Sequence, residues 1–138
     1  MLLEDYPYVP KDGKCNYEKS KGKVAVTSYV NVKVNSVDQL KAALAVGAAH
    51  VSVQADKPVF HQYTGGVVTD VDCGTHHNHA ITAVGYGSQT IDGKVVDYFI
   101  MKNSWGPSWG EEGYIRLAAV AGEGICGVQT NPTQPTTN

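Results

Sequence analysis

The chain has 138 residues, and its 11 Lys and Arg against 13 Asp and Glu give a formal charge of −2. That length suits one compact domain with a real hydrophobic core but is small for two, and the charge sets up no broad positive field to hold a phosphate backbone. Nucleic acid and membrane are therefore not expected partners: no apolar run reaches the length of a membrane-spanning helix, and "MLLEDYPYVP" meets Glu4 and Asp5 too early to build a signal-peptide core.

Residues 1–23 are rich in Pro, Gly, Lys and Tyr and carry neither helical nor strand periodicity, so an irregular N-terminal segment is expected, with the folded domain over 24–138. "KVAVTSYVNVKV" then alternates apolar and polar residues with β-branched side chains throughout, which predicts a half-buried strand. A helix should follow. Ser36 can cap it, Gln39 completes a capping-box pattern, and Val37, Leu40, Ala43 and Leu44 share one side before Gly47 ends the run. Beyond it come short apolar runs, "HVSVQA", "GGVVTDV", "HAITAVGY", "VVDYFIMK" and "GYIRLAAV", separated by turn-forming clusters. "IDGK" joins two of them as a hairpin, because Asp-Gly readily takes the positive φ angles of a tight turn. The tail "TNPTQPTTN" reads as extended. Together these elements predict an α+β fold: a mainly antiparallel, barrel-like or curled sheet with one packed helix.

Two polar residues stand out on this scaffold. His79 opens the apolar run "HAITAVGY", and Asn103 closes "VVDYFIMKN", followed at once by Trp105 and Trp109 among glycines. Indoles that fill a core corner and glycines that turn the chain would account for the cluster in structural terms alone. A sharper reading makes His79 a general base and Asn103 its orienter. A neutral amide that accepts one ring N–H fixes both tautomer and direction without adding a full charge. That suits a thiol partner, since the imidazole can then keep the proton, and an indole such as Trp105 laid over the His–Asn bond would keep water from competing for it.

"NHAITAVGYG" followed by "KNSWGPSWGEEGYIRL" resembles the histidine and asparagine segments of the papain-like cysteine proteases, the cathepsin L type in particular. "YPY" with "GKC", "VFHQYTGGVV", "CGT" and "GICGV" resemble the same family in the same order, so the likeness covers nearly the whole chain. The resemblance implies the C-terminal, β-rich half of a papain-like endopeptidase. It makes His79 the base, Asn103 its orienter and Trp105 a shielding indole that also borders the leaving-group side of a cleft. Asn78 and Ala80 would line the substrate site beside the histidine, and Ser52 and Asn131 the wall and floor of the main specificity pocket. Ala48 stands where the family usually has proline.

The same resemblance implies that Cys73 pairs with Cys126, and that Cys15 pairs with a cysteine in an absent helical half. In that family the nucleophilic cysteine lies about 130–150 residues before the histidine, hence roughly 50 or more residues before Met1. The implied partners are that helical half and a peptide or protein substrate. No metal or organic cofactor is implied, and the setting is a lysosomal, vacuolar or extracellular one. On this reading the isolated chain, lacking the nucleophile, does not hydrolyse peptides. Two alternatives stand beside it. One is a non-catalytic half-domain that binds peptides or proteins, and the other a metal module built on "CGTHHNH", which offers one cysteine and three histidines.

Overall fold

The computed structural model describes residues 1–137. Up to residue 23 the chain is irregular apart from a single 3-10 turn over Lys19–Lys21. Among the described residues, seven strands form one sheet in the order β1-β7-β2-β4-β5-β6-β3. These are β1 (Val26–Asn31), β2 (Ala49–Val53), β3 (Val67–Val68), β4 (His79–Ile91), β5 (Lys94–Lys102), β6 (Tyr114–Ala118) and β7 (Thr133–Thr137). The fold is α+β, as the sequence implies.

The expected helix is α1 (Val37–Val46). Ser36 Oγ accepts the Gln39 backbone N–H at 3.4 Å, and Leu40 and Leu44 are buried against the sheet. At the other end Gln134 Nε2 donates to the carbonyls of Ala43 and Gly47, both at 2.8 Å, so a distant side chain satisfies the last turn. Lys41 on the helix also pairs with Asp97 on β5 at 2.5 Å. A second, four-residue helix, α2 (Pro58–His61), escapes sequence periodicity because it is barely one turn long. Pro58 starts it, and its only fully buried side chain is Phe60.

Strand β2 alternates as a half-buried strand should, with Ala49, Val51 and Val53 inward. β4 and β5 form the expected hairpin: Ile91 pairs with Lys94 across Asp92 and Gly93, whose φ angles are 49° and 76°. Core residues from both helices and from strands β2 to β6, among them Leu40, Val51, Phe60, Phe99, Met101, Ile115 and Leu117, pack into one cluster. A disulfide between Cys73 and Cys126, 53 residues apart, ties the chain before β4 to the turn Ile125–Gly127.

One expectation needs correction. "KVAVTSYVNVKV" does contain a strand, but every residue of β1 is exposed, including Val26, Tyr29 and Val30. Alternation encodes a strand that could be half buried, whereas burial needs a covering layer, and among the described residues β1 pairs only with β7 at the edge of the sheet. "GGVVTDV" contributes only two strand residues, and these run parallel to β6 within a sheet that is otherwise antiparallel, so it is mainly antiparallel as expected.

Candidate active site

The hairpin places the two polar residues. His79 is the first residue of β4 and Asn103 the first after β5, and the antiparallel register that sets Thr82 opposite Lys102 brings these ends together. His79 Nε2 lies 2.8 Å from Asn103 Oδ1, and the Ser104 backbone N–H donates to the same oxygen at 2.7 Å. This pair of contacts fixes the chemistry. A backbone N–H can only donate, so the atom it meets is the amide oxygen, and the ring nitrogen facing that oxygen must carry a proton. His79 is thereby held as the Nε2–H tautomer, with Nδ1 left as the proton acceptor. Asn103 is only 7% exposed, and its own N–H donates to the Gly113 carbonyl at 2.9 Å, so the orienter does not drift.

An aromatic cluster backs this bond. The Trp105 indole stacks on the imidazole, centroids 5.0 Å apart and planes 29° from parallel. Phe60 meets both rings edge-on, at 6.4 Å from His79 and 5.7 Å from Trp105. Trp109 packs on Phe60, Trp105 and Tyr63, and its Nε1–H donates to the His61 carbonyl at 3.1 Å. The loop that carries both tryptophans ends in an ion pair: Arg116 holds Glu111 through two bonds, of 2.8 and 2.6 Å, and Glu111 also accepts the Gly66 N–H at 2.9 Å. The guanidinium keeps the Glu111 carboxyl below the ordinary value. Gly110 sits where a side chain would strike the Tyr114 carbonyl at 2.6 Å and the Tyr63 ring at 2.9 Å, with φ at +58°. Only glycine suits that position.

Ser52, Asn78 and Ala80 line one shallow pocket together with His77 and His79. Asn131 joins it through a reciprocal pair: the Ser52 N–H donates to Asn131 Oδ1 at 3.2 Å, and Asn131 Nδ2 donates to Ser52 Oγ at 3.0 Å. Asn78 turns its side chain to the main chain, where Oδ1 accepts the Ala55 N–H at 2.8 Å. Asn78, Ala80, Ser52, Asn103 and Trp105 thus lie around His79, Asn131 connects to them through Ser52, and Cys73 and Cys126 are joined in the disulfide. Three contributors were not foreseen: Phe60, the Ser104 N–H, and the Glu111–Arg116 pair. "PVFH" holds too few residues to show a period, a backbone donor has no sequence signature, and the pair needs the loop's geometry to be seen.

The histidine-rich loop is put together differently. Cys73 gives its sulfur to the disulfide, and His77 Nε2 faces the Gly127 carbonyl at 3.2 Å and Thr130 Oγ1 at 2.6 Å. Among the described residues no three His, Cys, Asp or Glu side chains converge as a metal ion would require.

At the end of a β-hairpin the structure thus holds an imidazole in one tautomer against a carboxamide, with an indole stacked on it. Residues 2–136 match the family described as papain family cysteine protease, and the chain belongs to that family. It is 45% identical over 133 residues to chymopapain of Carica papaya, covering 94% of this chain and 36% of that protein. To the germination-specific cysteine protease 1 of Arabidopsis thaliana it is 40% identical over 136 residues, covering 96% of this chain and 35% of that one. Among solved structures, the bromelain protease from Ananas comosus superposes with a TM-score of 0.83 at 38% identity, covering 97% of this chain and 61% of that chain. Digestive procathepsin L 3 of the Tenebrio molitor larval midgut gives 0.87 at 32% identity, covering 99% and 43%. The chain spans a little over a third of the length of the two curated relatives.

Proposed function

We propose that this chain supplies the general base and its orienting amide to a papain-like cysteine endopeptidase whose nucleophilic thiol belongs to a helical half outside these residues. The observation that carries the reading is the His79–Asn103 hydrogen bond with its fixed tautomer. Nδ1 of His79 takes the thiol proton, and the resulting thiolate attacks the scissile carbonyl carbon. The imidazolium then protonates the departing amine, leaving a thioester on the enzyme. In the second half of the cycle His79 deprotonates a water molecule, whose oxygen displaces the thiolate and releases the acid. Asn103 holds the ring throughout, and no metal or organic cofactor enters these steps.

Asn78, Ala80, Ser52 and Asn131 form the wall against which the substrate lies, with Trp105 on the leaving-group side. The helical half would cover apolar side chains that the chain leaves exposed, among them Leu3, Tyr8, Val26, Tyr29 and Val30. The same exposure favours the second reading, a half-domain that binds a protein without catalysis. An intact disulfide suits an oxidising setting, a lysosomal, vacuolar or extracellular one.

The chain alone should leave a fluorogenic dipeptide substrate intact, whereas a complex with the helical half should turn it over and lose that activity in His79→Ala. Thiol-sensitive turnover by this polypeptide by itself would overturn the proposal, and an inactive but stable complex would favour the binding reading.

A further inference from the structure

His61, the last residue of α2, touches both tryptophans of the site with two different parts of itself. Its backbone carbonyl accepts the Trp109 Nε1–H at 3.1 Å, while its imidazole lies 5.3 Å from the Trp105 ring, tilted by 54°. Trp105 needs such support. It is 37% exposed, it precedes a turn at Gly106 with φ +88°, and the backbone bonds of its loop run from Asn103, Trp109 and Gly113 rather than from Trp105 itself. What keeps the indole in place is therefore ring contact. His79 takes one face, Phe60 and Trp109 approach at 86° and 83°, and the imidazole of His61 supplies the remaining aromatic neighbour.

We propose that His61 is a positioning residue for His79, acting through Trp105: its ring holds the indole over the His79–Asn103 hydrogen bond and so keeps water from that bond. The proposal deepens the reading of His79 as an oriented base and rests on it. Shape rather than charge is the requirement, since an aromatic neighbour is what the indole edge packs against. An aromatic replacement therefore serves and a small one does not.

The test uses nuclear magnetic resonance on the isotope-labelled chain and needs no turnover. Its readouts are the exchange of the His79 Nε2–H with water and the ring-current shift that Trp105 imposes on the His79 ring. His61→Ala should speed that exchange roughly two- to tenfold, the range to which an aromatic pair contact corresponds, and should shrink the ring-current shift. His61→Phe should restore both. The Trp109 Nε1–H serves as the internal control. Its acceptor is a backbone carbonyl present in every variant, so its continued protection from exchange with water reports that α2 is intact, whatever ring-current shift a moved Trp105 imposes on it. The proposal is overturned if His61→Ala leaves both His79 signals as they were, or if His61→Phe fails to restore them while the Trp109 N–H stays protected. A His79 Nε2–H that exchanges freely in the unsubstituted chain would overturn the oriented-base reading as well, which separates the two failures.

Discussion

The oxygen of Asn103 accepts two N–H bonds, and the neutrality of its amide matters as much as its position. A carboxylate in the same place would accept the same bonds while adding a full negative charge beside the ring. Asn103→Ala removes the acceptor altogether, so the His79 Nε2–H should exchange with water several-fold faster than in the parent, on the order of what one lost hydrogen bond corresponds to. Following that ring proton by nuclear magnetic resonance checks this directly, and an unchanged exchange rate would mean that the side chains are not in contact. At this scale the sequence was highly legible. His79 and Asn103 each sit at the end of an apolar run, and their partnership follows once those runs are taken as neighbouring strands. The Ser104 donor was not legible, because the group involved is main chain and every residue but proline has one.

Between residue and fold stands the loop from Asn103 to β6, which carries both tryptophans and is pinned by Glu111 and Arg116. Glu111 titrates below its ordinary value chiefly because of its hydrogen bond to Arg116. A carboxyl shifted this way lends stability that is complete above the unfolded value, 4.5, and fades as pH falls through the folded one. Glu111→Gln should thus be less stable than the parent by a gap that is constant above about pH 5 and closes in stronger acid. Denaturant unfolding of both proteins across that window tests the sign. The gap should be modest, since the two side chains keep 32% and 22% of their surface in water. Helix α1 and the Asp92–Gly93 hairpin were legible because their signals are local: a cap, a period and a turn dipeptide. Strand β1 was found but its burial misjudged, and the parallel pairing of β3 was missed. Both depend on elements far along the chain that alternation does not report.

At the scale of the molecule, one sheet bears the site while a single covalent link closes the chain beneath it. Removing that link with Cys73→Ser and Cys126→Ser together should cost about 4 kcal/mol on loop-closure grounds for a separation of 53 residues. Denaturant midpoints of the two proteins under oxidising conditions measure the loss, and equal midpoints would show that the bridge constrains nothing. The pairing of Cys73 with Cys126 came from family likeness, since three cysteines by themselves allow three different pairings.

The hairpin of β4 and β5 also separates two tasks along its length. Both polar groups stand at its open end, and the tight Asp92–Gly93 bend closes the other, about 40 Å away along β4 at strand rise. Peptide grafted into that bend would project into solvent from the remote tip of the ribbon. The molecule thus carries a ready attachment point for a reporter, insulated from its working end by the full run of the ladder.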